Sequence, residues 1–253
     1  MTRLSEAVLA EPDKGRIAFL SYSILGFPNL ELSKHHVETL HELGVTGYET
    51  AVPVSHGWSS DTNATIIGAL VEASRSGIGE SQVLRHFSNF RPNLYVLYKP
   101  VARPSVSSTF RRLRSFADGV LPEWDPSNHA MLNSEASRNH IELVNFVSCT
   151  MDRAEIRKRV RQCGLVYLAI AHATGMKIYH KRTIQRVAAE IKQSADIPVC
   201  CAFGIRKPSD VAMLASIPQC DGVIVGTAAL QAMTKGREHF RGYISELIEA
   251  TAR

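Results

Sequence analysis

The chain is predicted to be an α/β protein with a parallel sheet, and three observations carry that prediction. Apolar, β-branched runs recur along it and stop abruptly at glycine or proline, as strands buried on both faces do. Segments with helical periodicity fill the intervals between those runs. Eight alternations fit into 253 residues, about the length of a closed (β/α)8 TIM barrel. No Gly-x-Gly-x-x-Gly follows the first strand and no Gly-x-x-x-x-Gly-Lys-[Ser/Thr] occurs, which favours a closed barrel over a doubly wound sheet. With no linker rich in Gly, Pro or Ser, residues 1–253 read as one barrel domain.

The first strand opens at 17–20 and breaks at Gly26-Phe27-Pro28. A helix carrying Leu32, Val37, Leu40 and Leu43 follows, closed by Gly44. The second strand covers 47–52 and stops at Pro53; after the polar stretch 55–63 comes a helix through Ile66, Ile67, Leu70 and Val71. Strand three is 94–98, followed by a basic helix over 106–116. Strand four, 119–121, is short, and a weak helix ends near Arg138. Strand five is 143–147 with a helix over 152–162, and strand six is 165–170 with a helix over 181–193. Strand seven is the run Cys201-Ala202-Phe203-Gly204-Ile205, and strand eight is Asp221-Gly222-Val223-Ile224-Val225 ending at Gly226. Helices are expected over 208–217, 227–233 and 236–251.

Composition narrows the function classes. The chain is 45% hydrophobic and 21% charged, ordinary for a globular protein. Its net charge of +5 comes from 29 basic and 24 acidic residues. The basic clusters, Arg111, Arg112 and Arg114 and then Arg157, Lys158, Arg159 and Arg161, fall on helices and read as solvated faces. Without interleaved aromatics they give no nucleic-acid stripe. Residues 1–15 are polar and carry no secretory apolar core, and no run of eighteen apolar residues would span a membrane. Five cysteines lack metal-ligand spacing and read as reduced core residues of a cytoplasmic protein, Cys200 and Cys201 facing opposite ways on one strand. The ten histidines form no metal motif, so no structural metal is expected.

In a barrel, reacting groups project from the carboxyl ends of strands. Glu49 lies within strand two, where an unpaired carboxylate is costly to bury and its pKa rises toward the working range of a general acid or base. A structural glutamate bonded to a neighbour is the alternative. Asp61 either meets Glu49 across the barrel mouth or caps the helix that follows. Tyr22, Tyr98 and Tyr167 near strand ends, with Phe203, either line a pocket for a flat ring or belong to the core. Gly204, Gly226 and Thr227 offer backbone amides to a phosphate, or serve only to close tight turns. Lys99, after strand three, is a candidate for Schiff-base chemistry.

On these residues the chain resembles the α subunit of tryptophan synthase. Gly26-x-Pro28 is similar to that family's Gly-Asp-Pro, and Glu49-x-x-Val52-Pro53-x-Ser55 to its Glu-Leu-Gly-Ile/Val-Pro-Phe-Ser. Tyr167-Leu168 with Thr174-Gly175 resembles its strand-six segment. Phe203-Gly204-Ile205 with Pro208, then Asp221 to Ala228, resemble its last two strand endings. The likeness runs from about residue 16 to 235 and is strongest in those two strands. It implies retro-aldol cleavage of indole-3-glycerol phosphate, or a related phosphorylated substrate, to indole and glyceraldehyde 3-phosphate. Glu49 would be the acid/base, and Gly175, Gly204, Gly226 and Thr227 the phosphate site, and the resemblance implies no metal or organic cofactor.

Departures from the family lie on the ring side. Its second-strand loop, Ser-Asp-Pro-Leu-Ala-Asp-Gly-Pro, contacts the indole nitrogen through the second aspartate and also meets the β subunit. Here the loop reads Ser55-His56-Gly57-Trp58-Ser59-Ser60-Asp61-Thr62-Asn63, so Ser60 takes the aspartate's place without a gap, and Asp61 with a one-residue insertion. Phe27 replaces the aspartate of Gly-Asp-Pro, and the loop after strand six lacks the family's Ser-Arg. These changes imply a diverged, stand-alone lyase with a doubtful β-subunit partner. The alternatives are an inactive, partner-binding homologue and another phosphate-binding barrel lyase or isomerase.

Overall fold

The computed structural model describes residues 3–56, 58, 62–98, 101–123, 129–161, 163–173 and 176–253. Eight parallel strands close into a barrel in sequence order. They are β1 (Ala18–Ile24), β2 (Gly47–Ala51), β3 (Asn93–Leu97), β4 (Gly119–Pro122), β5 (Glu142–Ser148), β6 (Leu165–Ala169), β7 (Val199–Ala202) and β8 (Gly222–Val225). The helices are α1 (Arg3–Leu9), α2 (Leu30–Glu42), α3 (Ala64–Ser74), α4 (Glu80–Phe87), α5 (Val106–Leu113), α6 (His129–Arg138), α7 (Arg153–Val160), α8 (Lys181–Ser194), α9 (Pro208–Ala215), α10 (Thr227–Met233) and α11 (Arg237–Glu249). The predicted TIM barrel is thus the fold, and all eight predicted strands are present.

The strands are apolar on both faces because each has two layers to fill. Outward residues such as Phe19, Val166, Cys201 and Val223 pack under the helix ring in one large core. Inward residues form a second cluster with Ala18, Leu20, Leu94, Val144, Leu165, Cys200 and Ala202. Cys200 and Cys201 therefore do face opposite ways, as strand alternation requires. All five cysteines are free thiols.

Three local expectations are corrected. Residues 3–9 form a helix whose Leu4 and Val8 enter the inner cluster and plug the barrel from below. The buried Glu142 carboxylate accepts the Ser5 backbone N–H at 3.1 Å and the Ser5 hydroxyl, tying the start of α1 beneath β5. Only tertiary contact shows that Leu4 and Val8, and not Leu9, are the apolar residues this segment buries. Second, α4 was not legible, although Val83, Leu84 and Phe87 recur on one face. Third, β7 ends at Ala202 because Phe203 and Gly204 both turn left-handed, with φ of 74° and 80°.

Candidate active site

Along every strand the inward positions change character in two-residue steps. Leu20 is followed by Tyr22, Gly47 by Glu49, Val96 by Tyr98, and Leu121 by Glu123. Val144 is followed by Phe146, Leu165 by Tyr167, Ala202 by Gly204 and Ile224 by Gly226. All eight of the later residues line one cavity of about 470 Å³ at the carboxyl ends of the strands. Parallel register aligns the steps: Tyr22 pairs with Glu49, and Phe146 with Tyr167.

Glu49 is the electrostatic centre of this cavity. It is 4% exposed, and burial pushes its carboxyl up to about 8. The Tyr167 hydroxyl donates to it and opposes that rise, while the negative charge of Glu123 adds to it. A carboxyl so placed carries its proton at neutral pH and can both give and take one. Around it, burial holds the phenols of Tyr22, Tyr98 and Tyr167 well above the usual range, so all three are neutral hydroxyls. The Tyr22 and Tyr98 hydroxyls share a hydrogen bond of 2.7 Å. Phe203 packs at 5.7 Å and 5.8 Å, centroid to centroid, from Tyr167 and Phe146, closing an aromatic wall.

The neighbouring wall, at the ends of β7 and β8, is backbone. At Gly204 an added Cβ would lie 2.6 Å from the Met176 carbonyl oxygen, and φ is 80°, so both space and conformation require glycine. Gly226 caps α10, and Thr227 begins it with its hydroxyl buried and unpartnered among the described residues. Cationic side chains reach the same cavity from α7 (Arg159) and from the loop after β7 (Arg206).

Known proteins give this arrangement a family. Residues 9–252 match the family model of the tryptophan synthase alpha chain. The tryptophan synthase alpha chain of Chloroflexus aggregans is 27% identical over 100% of this chain and 99% of its own length. That of Novosphingobium aromaticivorans is 27% identical over 100% and 96%. The chain belongs to the tryptophan synthase alpha chain family. It is therefore an enzyme of the lyase class, in a family that cleaves indole-3-glycerol phosphate to indole and glyceraldehyde 3-phosphate. Solved structures agree on the fold. Mycobacterium tuberculosis tryptophan synthase superimposes with a TM-score of 0.87 at 23% identity, covering 100% of this chain and 99% of that one. The Campylobacter jejuni alpha subunit does so with 0.80 at 22% identity, covering 92% and 96%.

Of the residues singled out from the sequence, Glu49, Tyr22, Tyr98, Tyr167, Phe203, Gly204, Gly226 and Thr227 all line the cavity. Asp61, Ser60, Gly175 and Lys99 lie outside the described residues. The alternative reading of Asp61 as a helix cap is corrected: Asn63 caps α3, its side chain accepting from Thr65 N–H at 2.8 Å. Among the described residues no cluster of three or more His, Cys, Asp or Glu could hold a metal. Nor is any described helix long and apolar enough to cross a membrane.

Of the cavity residues that escaped the sequence reading, Glu123 and Arg159 are instructive. Glu123 was passed over because it lies beyond a short strand, yet it is the next inward step after Leu121 of β4. Counting alternate residues past the proline would have found it. Arg159 was assigned to a solvated basic face, but that cluster divides. Arg157 pairs with the buried Glu190 at 3.0 Å, whereas Arg159 turns to Glu155 at 2.7 Å and the Phe146 carbonyl, against the cavity. Charge spacing on a helix does not reveal which neighbour lies beneath it.

Proposed function

We propose that this chain cleaves indole-3-glycerol phosphate, or a closely related phosphorylated substrate, by a retro-aldol step with Glu49 as general acid and base. The observation that carries the reading is a buried Glu49, its carboxyl pushed up to about 8, sharing one cavity with a glycine-built wall. Gly204, Gly226 and Thr227 would receive the phosphate through backbone amides and the Thr227 hydroxyl, with Gly175 contributing from the loop after β6. The aromatic wall of Tyr167, Phe146 and Phe203 would take the ring.

The chemistry then follows from one carboxyl. Glu49 protonates the ring carbon that bears the side chain and becomes a carboxylate. That carboxylate removes the proton from the hydroxyl on the adjacent side-chain carbon. The carbon–carbon bond breaks, its electron pair returns to the ring, and an aldehyde forms. Glu49 ends protonated, now with the hydroxyl's proton, while its original proton stays on the ring carbon of the product, so no cofactor is consumed. Tyr167 orients the carboxyl throughout through its hydrogen bond.

We further propose that the enzyme works in the cytoplasm without a β-type subunit, because the loop over 55–63 has lost the family's partner-contacting sequence. The test is indole release from indole-3-glycerol phosphate by the purified chain alone. Wild type should release indole, and Glu49→Gln should not, while both bind glycerol 3-phosphate. Turnover that survives Glu49→Gln would remove Glu49 from its role. Silence from wild type with glycerol 3-phosphate still bound would point to another substrate or a required partner.

A further inference from the structure

The reaction just described creates a positive charge that Glu49 cannot stabilise. Protonating the ring carbon leaves a cation shared with the ring nitrogen, whose N–H then becomes a strong donor. At that moment Glu49 faces the side chain rather than the nitrogen. An anion elsewhere in the cavity is therefore needed, and among the described lining residues Glu49 and Glu123 are the only carboxylates.

We propose that Glu123 is the second catalytic carboxylate of this enzyme: it accepts the substrate's ring N–H and stabilises the ring cation while Glu49 transfers its proton. The proposal rests on the lyase reading above. Three observations carry it. Glu123 is the inward step directly after β4, two strands from Glu49, with Tyr98 of the intervening strand end between them. Thr62, at the base of the loop leading to α3, donates its hydroxyl to Glu123 Oε1 at 3.0 Å, which fixes the carboxylate. Finally, the charge of Glu123 is felt by Glu49, Tyr22, Tyr98 and Tyr167, so it sits among the groups that surround the reacting atoms.

Two carboxyls in one cavity divide their roles by environment. Like charges resist joint ionisation, so the negative charge of Glu123 adds to the rise of the more deeply buried Glu49, which is the carboxyl that keeps its proton. The groups facing Glu49 are Tyr22 from β1, Tyr98 after β3, Glu123 after β4 and Tyr167 from β6. Arg159, His172 and Arg206 are the cationic or titratable groups farther out along the cavity lining. Because the phenols stay neutral, Glu123 is the neighbour whose removal changes the charge beside Glu49.

The experiment compares wild type with Glu123→Gln on indole-3-glycerol phosphate and on its ring N-methyl analogue. Removing a preorganised charge partner should lower kcat roughly 10²–10³-fold, with glycerol 3-phosphate affinity and melting temperature held. Wild type should discriminate against the N-methyl analogue by a similar factor, and Glu123→Gln should lose that discrimination. The alkaline limb of the rate profile, where Glu49 loses its proton, should move to lower pH in the variant, because a like charge has gone. The limb reads the charge of Glu123 beside Glu49, whereas loss of discrimination against the N-methyl analogue reads a contact with the ring N–H, which a purely structural Glu123 would not make. If Glu123→Gln does not fold, the wild-type discrimination decides alone: equal turnover of the two substrates overturns the proposal. Wild-type activity matched by Glu123→Gln, or discrimination against the N-methyl analogue kept by that variant, overturns it too while leaving the lyase reading intact. A silent wild type overturns both.

Discussion

The two ends of the barrel interior are built from the same strands and obey opposite rules. The lower end is a dry plug, where Leu4 and Val8 of α1 meet Leu20, Leu94, Val144 and Leu165. Gly119 is there because a Cβ would lie 2.7 Å from Leu4, so the end is packed to its limit. The upper end holds a cavity with two carboxyl groups and three phenols, one of the carboxyls pushed up to about 8 chiefly by burial. Two residues along each strand separate the regimes. Stability is thus concentrated where no chemistry occurs, and polar groups are confined to a region already supported from beneath.

Substitutions can break this contrast, and the largest effect belongs at the top. Glu49→Gln should lower turnover by roughly 10²–10⁴-fold or more, the range of a lost general acid/base, measured as indole release. The same variant should be more stable than wild type at alkaline pH. The folded carboxyl titrates near 8 against an ordinary value of 4.5, so folded wild type holds the extra proton and loses stability as pH rises through that window. Thermal melts from pH 4.5 to 8.5 should show the advantage of glutamine growing steadily and levelling off above 8. An advantage independent of pH would mean that Glu49 is not held protonated.

Leu4→Ala tests the plug. It should cost about 2–5 kcal/mol in chemical denaturation, the usual range for a cavity at a fully buried leucine. A loss well below that would show that α1 merely rests on the barrel. Gly204→Ala comes next: it forces a side chain into a left-handed backbone position and against the Met176 carbonyl. A penalty of about 1–2 kcal/mol should appear as roughly tenfold weaker glycerol 3-phosphate binding. Tyr22→Phe should be the smallest change, about 1 kcal/mol of stability, because it removes one hydroxyl from the 2.7 Å pair and leaves the ring packing.

Much of this molecule was legible beforehand, and the particular residues say why. The strands were readable because burial on both faces makes them continuous apolar runs, and Gly204 and Gly226 were readable because they end those runs. Glu49 stood out as a charge inside such a run. Glu123 did not, since it follows a proline just beyond a four-residue strand and looks like loop. Arg159 was hidden for a different reason: its helix is polar almost throughout, and only the position of Phe146 tells which basic side chain turns inward. The α1 plug was hidden because seven residues are too few to give a reliable helical period.

The sequence by itself determined the alternation of elements, the closed barrel that eight of them make, and the wall where glycine admits backbone to a ligand. Those features follow from local sterics and hydrophobic period, which each segment carries within itself. The tertiary structure alone decided that Glu49 and Glu123 share one cavity, that Tyr167 rather than a cation holds Glu49, and that a polar leader seals the barrel. Each of these depends on distances between residues far apart in the chain, and the charge state of a buried carboxyl is set by what closes around it.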